Sequence, residues 1–325
     1  MKSKMRILFY FVTACFFFAF WMFWVFPYST LESRIITEIE NNFGGRYKIE
    51  ASDTNLSLFG SLDFENLKVQ ESSPEGTSLF FKTPKLELDF SPWALLSKKI
   101  DLDFYFKGQN KGEVEGAFQQ ASGSHTDFEV DFDNYPMADL KGLWSKANLA
   151  LRGELDGEAN FKFYSTESQK NQGEIDIALI NLSLDPTRMD LNLAGLASVP
   201  LNIPRIKLSG SKSSHIQGKV KGKQIEFSSI RLQDGDLSMD LKGTLNVAAR
   251  NARDYQLNLE GTFKISDQLL NNLKTQQAKD VADNIDSILI LLDQQKTPEG
   301  LYPISIEGRL SAKPEVKIGK FRLPI

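Results

Sequence analysis

Residues 151–163 read LRGELDGEANFKF, and this stretch decides the fold class. Apolar residues or glycine occupy every odd position from Leu151 to Phe163, whereas charged or polar residues occupy the even positions. Successive side chains of a β-strand point to opposite faces. The alternation therefore predicts a β-strand with one apolar face and one solvated face.

The same alternation recurs on both sides of this stretch. Regular examples are 100–106, 237–247, 255–265 and 304–310, and shorter ones are 56–58, 62–69, 86–90, 114–118, 128–132, 175–184 and 206–208. Turn-type residues separate many of them, as at Asp234-Gly235, Asn134-Tyr135-Pro136 and Gly123-Ser124. Many strands at short spacing predict a mainly β fold with a curved antiparallel sheet.

Two segments follow helical spacing instead. Within residues 27–45, apolar residues recur four apart, and Ser29 with Glu32 has the spacing of a capping box. Residues 266–296 carry a second apolar stripe, with Ser266 as the N-cap residue. The sequence thus predicts a short amphipathic helix near the start and a helical segment near the end.

Residues 1–26 predict a membrane anchor. The run from Ile7 to Phe26 contains 20 residues without a charge, and three cations precede it. About 20 apolar residues span the hydrocarbon core of a bilayer, and flanking cations stay in the cytoplasm. We therefore expect a single-pass inner-membrane protein with a cytoplasmic N-terminus and a periplasmic β-rich domain at 27–325.

A cleaved signal peptide is the alternative for this segment. A signal peptide has an apolar region of roughly 7–15 residues and then a small-residue cleavage site. This run is longer and ends in WMFWVF before Pro27. An uncleaved anchor is favoured.

Charge and cysteine content exclude several protein classes. The net charge is −4, and about −7 remains after the three N-terminal cations are removed, which argues against a nucleic-acid partner. Cys15 is the only cysteine and lies in the predicted anchor, so we expect no disulfide and no thiolate metal site.

The chain offers few residues for catalysis. His125 and His215 are its only histidines, far apart and beside turn residues, which is typical of surface loops. No catalytic or phosphate-binding motif is present. The alternating lysines of 219–223 are typical of the solvated face of a strand.

Paired carboxylates have the same interpretation. They occur at Asp101 and Asp103, at Asp131 and Asp133, and at Asp234 and Asp236. The first two pairs fall on the solvated side of alternating stretches, and the third belongs to a turn without EF-hand spacing. We assign no catalytic, cofactor-binding or metal-binding residue, and we expect no enzyme activity.

The apolar positions are the candidate functional residues. We expect nine of them to line one continuous surface: Leu151, Leu155, Phe161, Phe163, Leu241, Leu245, Leu257, Leu259 and Phe263.

Three phrases near the start resemble the opening of AsmA-like proteins: FGGRYKI at 43–49, LSLF at 56–59 and LDFENLKV at 62–69. That family has a membrane anchor, an amphipathic helix, a glycine-marked turn and then strands. Further along, LRGELDGEANFKF, GEIDIALINLSL, VPLNIPRIKLSG and LSMDLKGTLNV resemble GspN, the N component of type II secretion systems. A late helical segment before the closing strand ISIEGRLSAKP matches that family too.

The resemblance implies two roles, and the secretion role is favoured over the lipid role because the later half of the chain, including its helix and closing strand, resembles GspN. GspN-like proteins are inner-membrane components attached to a machine that moves folded proteins across the outer membrane, so other secretion-system proteins are the implied partners. AsmA-like proteins form β-grooves that shield lipid, so phospholipid acyl chains are the implied partners there. Both roles fit a curved sheet with one apolar face. A closed sandwich, in which two such faces press together, fits the alternation as well.

Overall fold

The computed structural model describes most of the β-rich part of the chain. The described residues are 36–37, 40–41, 46–57, 60–73, 76–91, 94, 97, 99–109, 111–120, 125–140, 150–164, 166–191, 199–210, 214–247, 255–275, 290, 293–309 and 314–323.

Strands dominate the described residues. They are β1 (Tyr47–Glu50), β2 (Asp53–Leu56), β3 (Ser61–Ser73), β4 (Gly76–Phe90), β5 (Ile100–Lys107), β6 (Glu113–Gln120), β7 (His125–Pro136), β8 (Leu151–Tyr164), β9 (Gln172–Leu184), β10 (Thr187–Leu191), β11 (Val199–Ile203), β12 (Ile206–Lys207), β13 (His215–Lys221), β14 (Gln224–Leu232), β15 (Leu237–Asn246), β16 (Gln256–Ile265), β17 (Tyr302–Arg309), β18 (Glu315–Ile318) and β19 (Phe321–Leu323). Helix α1 spans Asp267–Thr275, and the 3-10 helices η1 and η2 span Met137–Leu140 and Ser168–Lys170.

Seventeen of these described strands form one antiparallel sheet, and β10 and β11 form a separate hairpin. From β3 to β9 each strand pairs with the next along the chain, and the same is true from β13 to β19. Strands β12 and β13 lie end to end against β9, and β1 and β2 lie end to end against β3. The sheet is therefore about 15 positions wide, which at ~4.8 Å per spacing gives a stack of about 67 Å.

The register keeps apolar and polar side chains on opposite faces. Ile177 of β9 pairs with Ile216, which pairs with Ile230 of β14. One residue along β9, the exposed Asp176 pairs with Gln217. Directly opposite residues of an antiparallel pair point to the same face. The sheet thus has an apolar face and a solvated face.

The buried apolar side chains form four clusters along the sheet. Each cluster of described residues joins a contiguous block of strands, for example β15 to β18 around Phe263 and Tyr302. Another joins β4 to β9 around Val114 and Val130. Packing among the described residues therefore runs sideways along one apolar face.

The prediction of a mainly β fold is confirmed, since each alternating stretch overlaps a strand. The prediction of a turn at Asn134-Tyr135-Pro136 is wrong, because these residues continue β7. A β-bulge shifts the register between Phe132 and Tyr135, and Asn134 adopts a φ of 47°. Asp234-Gly235 does lie in a bend between β14 and β15. Gly123-Ser124 lies outside the described residues.

The late helix begins where the sequence predicts. The hydroxyl of Ser266 accepts a hydrogen bond from the backbone N–H of Leu269 at 3.2 Å, which is N-cap geometry. Residues 276–289 of the predicted segment lie outside the described residues. Near the start of the chain, residues 36–37 and 40–41 are helical, within the predicted amphipathic helix.

None of the described helices has the length and apolar character needed to span a bilayer. The predicted anchor at 7–26 lies outside the described residues.

Candidate functional site

The apolar face carries all nine residues that the sequence singles out. Four are buried: Leu155, Leu241, Leu259 and Phe263. Leu151, Phe161, Leu245 and Leu257 are half-buried, and Phe163 is 36% exposed. The nine lie on β8, β15 and β16, and the sheet places β9, β13 and β14 between β8 and β15.

Residues that the sequence pattern does not single out connect these strands. Ile177, Ile216 and Ile230 pair in succession, and Ile230 then pairs with Leu241. The alternation does not predict strand β14, because its register shifts between Phe227 and Ile230. With these strands in place, the apolar face is continuous from β8 to β16.

Phenylalanine rings form a row across strands β5 to β8 of this face. The ring centroids of Phe104 and Phe128 are 6.1 Å apart, and those of Phe128 and Phe161 are 6.2 Å apart. Phe163 continues the row at 5.8 Å from Phe161. These distances fall in the range of stacked aromatic pairs, each worth about 0.5–1.5 kcal/mol beyond area burial.

Glycines make room for the rings. A Cβ atom at Gly116 of β6 would lie 2.3 Å from Cζ of Phe104, so the ring lies over the strand where a side chain is missing. A glycine on strand β15 lies just as close to its neighbouring strand. Gly243 has a φ of 150°, and a Cβ there would lie 2.0 Å from the carbonyl oxygen of Asn258 on β16. Neither position accepts a larger residue.

An apolar pocket opens at the first strands of the face. It has a volume of about 350 Å³, and its lining combines side chains of β1, β3, β4 and β5: Tyr47, Ile49, Phe64, Leu67, Val69, Phe80, Phe81, Leu86, Leu88 and Phe106, with Glu40. The carboxylate of Glu40 accepts a hydrogen bond from the backbone N–H of Ile49 at 2.8 Å. Ile36 packs against the cluster that includes Phe64. The helical residues near the start therefore border this pocket.

An ion pair stands beside the pocket. Tyr47 pairs with Glu71, so the Glu71 side chain emerges on the apolar face, where the residue is 7% exposed. The guanidinium of Arg46 donates to the Glu71 carboxylate, and its carbon lies 5.7 Å from the centroid of the Tyr47 ring. The Arg46 side chain remains 40% exposed.

Helix η1 packs over the apolar face at one end of the strands. Met137 packs in the cluster that contains Leu155 and Leu232. Leu140 packs against that cluster and also against the one around Val114 and Val130. Burial raises the pKa of Asp139, whose carboxylate accepts a hydrogen bond from the backbone N–H of Gln109 at 2.9 Å. Burial likewise raises the pKa of Tyr135, whose hydroxyl has no hydrogen-bond partner among the described residues.

The solvated face carries the carboxylate pairs. Asp103, Asp131 and Asp133 are exposed, and Asp101 is half-buried, as expected for the wet side of β5 and β7. In the described part of the chain, no group of three or more acidic, histidine or cysteine side chains could hold a metal ion.

The prediction that both histidines lie in surface loops is wrong. His125 begins β7 and His215 begins β13, and both are half-buried. The Nε2 atom of His215 lies 3.1 Å from the hydroxyl of Ser229, and Nε2 of His125 lies 3.4 Å from the Asp127 carboxylate. Strands β7 and β13 are not neighbours in the sheet, so the two histidines form no shared site.

Lys219 and Lys221 lie on the solvated face, as the alternation predicts. Both are exposed, whereas Val220 between them is buried. Lys219 pairs with Glu174 at 2.8 Å and Lys221 with Glu226 at 2.6 Å. Exposed ion pairs of this kind stabilise the fold by about 0–1 kcal/mol each. They are typical of a solvated surface rather than of a binding site.

Comparisons of the chain with models of protein families, with curated proteins and with solved structures give no match.

Proposed function

We propose that this protein is an AsmA-like groove protein whose apolar face binds the acyl chains of phospholipids, held at the inner membrane with its β-rich domain in the periplasm. The observation that carries the proposal is the continuous apolar face of a single wide sheet. Phe163 on that face is 36% exposed, and Phe104, Phe128 and Phe161 are only half-buried.

The shape of the packing supports a groove over a sandwich. Two layers that press face to face would bring strands that are far apart in the sheet order into one cluster. The four clusters of the described residues instead follow contiguous strands. Each methylene group that leaves water for such a surface gains about 0.8 kcal/mol, so an acyl chain is a strong ligand for it.

A role in type II secretion is the second candidate function. The order of elements favours it, because helix α1 precedes β17 just as the late helical segment precedes the closing strand in the resemblance to GspN. A stack of about 67 Å also suits a module that docks to other components. The two roles are compatible, since a groove protein can be a part of a larger machine.

Co-purification of lipid tests the groove. The full-length protein, extracted in a detergent that preserves non-covalent lipid complexes, is analysed by native mass spectrometry. We expect phospholipid adducts that survive detergent exchange. A uniformly lipid-free protein with a sharp unfolding transition would contradict acyl-chain binding and favour a closed core.

Deletion of the gene distinguishes the secretion role from the lipid-binding role. Trapped exoproteins in the periplasm with an intact outer membrane would support the secretion role. Normal secretion with a detergent-sensitive outer membrane would support the lipid role. A reporter fused after Ile325 checks the topology, since it should be active only on the periplasmic side.

We also propose that the protein is not an enzyme. The test is simultaneous replacement of Asp131 and Asp133 by alanine, since both carboxylates are exposed on one strand. Both lie on the solvated face, so we expect unchanged folding and unchanged function. Loss of function in a folded variant would contradict the proposal.

A further inference from the structure

The apolar pocket at β1, β3, β4 and β5 differs from the other depressions along the sheet because almost no polar atom lines it. Its lining consists almost entirely of carbon, with the carboxylate of Glu40 engaged by the backbone of Ile49. Its volume of about 350 Å³ holds about a dozen methylene-sized groups, taking a water volume of roughly 30 Å³ for each. That is the scale of one acyl chain.

The positively charged side chain of Arg46 lies against an aromatic ring that lines this pocket. The Tyr47 ring lines the pocket and packs edge-on against Phe80 at a centroid distance of 5.0 Å. The guanidinium carbon of Arg46 lies 5.7 Å from the centroid of the same Tyr47 ring. The guanidinium donates a hydrogen bond to the Glu71 carboxylate. A guanidinium has five N–H donors, so the remaining donors can bind an oxygen-rich group.

We infer that this pocket is a phospholipid subsite in which one acyl chain fills the cavity and the headgroup phosphate contacts Arg46. The inference rests on the proposed acyl-chain binding and adds the position and the polar contact of one lipid. Arginine binds phosphate oxygens through paired N–H donors. The Glu71 carboxylate, buried on the apolar face, holds the partly exposed guanidinium beside the Tyr47 ring that lines the pocket.

The position on the chain suits the receipt of lipid from a membrane. The pocket borders the helical residues Ile36 and Glu40, which follow the end of the predicted anchor at Phe26 by 10 and 14 residues. The other strands of the apolar face extend away from it in order, up to β19. The pocket is thus the first part of the face that a lipid leaving the inner membrane would meet.

Photo-crosslinking in cells tests the subsite. Benzoyl-phenylalanine replaces Phe81 in the pocket or Phe227 on strand β14 of the face. Adducts on the full-length protein are identified by mass spectrometry. We expect phospholipid adducts at both positions. In Arg46→Gln combined with Glu71→Gln, the Phe81 adduct should fall about tenfold, because the hydrogen bonds from a charged group to the phosphate are lost.

The double variant avoids an unpaired buried carboxylate, so its folding is expected to persist, and limited proteolysis checks this. If it does not fold, Arg46→Lys serves instead, since it keeps the charge and removes the planar fork. Lys48→Gln is the matched control, because Lys48 lies two residues after Arg46, is exposed and pairs with Glu50 at 2.8 Å. It should leave the Phe81 adduct unchanged.

The outcomes separate this inference from the proposed function. Adducts at neither position would overturn acyl-chain binding itself. An adduct at Phe227 with none at Phe81, or an equal Phe81 adduct in the folded Arg46 variant, would overturn only the subsite. An adduct with the mass of a fatty acid and no phosphate would also overturn it.

Discussion

The two halves of the apolar face are built from different side chains. From β4 to β8 the face carries a row of phenylalanines, with Phe104, Phe128 and Phe161 stacked at about the same spacing. From β13 to β17 it carries leucine and isoleucine, as where Leu245 pairs with Leu257. One aromatic contact among the described residues of the second half joins Phe263 to Tyr302 at 5.2 Å.

This difference in composition accompanies a difference in packing. Five aromatic side chains, together with aliphatic ones, line the pocket of about 350 Å³ at β1, β3, β4 and β5, where the aromatic half begins. Branched aliphatic side chains interdigitate, and Leu241 and Leu259 are only 2% and 7% exposed. The same alternation of apolar and polar residues thus gives an apolar pocket at the first strands and a surface of buried leucines further along.

The solvated faces of the two halves differ as well. A depression on the first half is lined by five carboxylates: Asp89, Asp103, Glu115, Glu129 and Asp131. In the second half, acidic and basic side chains pair, as Arg231 does with Asp240 at 2.6 Å. A carboxylate-rich surface repels phosphate. The proposed phospholipid subsite therefore has its cation, Arg46, on the apolar side.

The largest expected effect is in the aliphatic half, at Gly243. In Gly243→Ala the Cβ would lie 2.0 Å from the carbonyl oxygen of Asn258, at a φ of 150°. We expect a loss of about 4 kcal/mol or more in the free energy of unfolding, from strain together with overpacking. Chemical unfolding of the full-length protein, followed by circular dichroism, measures it.

Gly76→Ala is the matched control for that variant. Gly76 has a φ of 131°, but no atom lies within 4 Å of the position that a Cβ would take there. Only the backbone strain remains, at about 1–3 kcal/mol. Equal losses in the two variants would show that the tight strand packing at Gly243 contributes nothing.

The second prediction compares a buried and an exposed position on the apolar face. Leu259→Arg places a charge at a residue that is 7% exposed, and we expect a loss of about 3–5 kcal/mol. Phe163→Arg changes a residue that is 36% exposed. There the guanidinium reaches water and the loss should be below about 1 kcal/mol. Unfolding midpoints of the two variants decide the comparison, and equal losses would argue that the face is closed throughout.

The sequence predicts the strands whose alternation is unbroken. Residues 151–163 and 255–265 match β8 and β16 within one or two residues. The sequence does not predict strand β14, because a bulge near Ser228 puts Ile225 and Ile230 out of phase with each other. A bulge adds one residue to one strand, and a period of two cannot reveal it.

The candidate site is only partly predictable for a related reason. Each apolar residue on β8, β15 and β16 follows from its own strand, so the sequence identifies nine members of the face. The pocket requires that β1, β3, β4 and β5 lie side by side, which is a property of pairing between strands rather than of any one strand. Glu71 is charged and would be assigned to the surface by its residue type. Its position two residues after Val69 on β3 and its pairing with Tyr47 place it on the apolar face instead.

The third prediction concerns the helix beside the aliphatic half. Ser266→Ala removes the hydroxyl that accepts the Leu269 N–H at 3.2 Å. We expect a loss of about 1 kcal/mol, with the thermal midpoint lowered accordingly. Ser266→Asp keeps an N-cap acceptor and should retain most of the stability. If alanine and aspartate give the same midpoint, the cap does not stabilise α1.

The smallest expected effect is at η1, on the aromatic half. Burial raises the pKa of Asp139 above its ordinary value of 3.8, so the folded state holds this proton more tightly than the unfolded state does. The resulting stabilisation is complete below the ordinary pKa and is lost as the pH rises to the raised value. Asp139→Asn removes the titration and keeps an oxygen that can accept the Gln109 N–H. The unfolding free energy of Asp139→Asn should therefore fall less steeply above pH ~4 than that of the wild type. At neutral pH the variant should have the higher unfolding free energy of the two. Unfolding curves across that range measure the slope, and parallel curves would show that η1 leaves Asp139 as well solvated as it is in the unfolded chain.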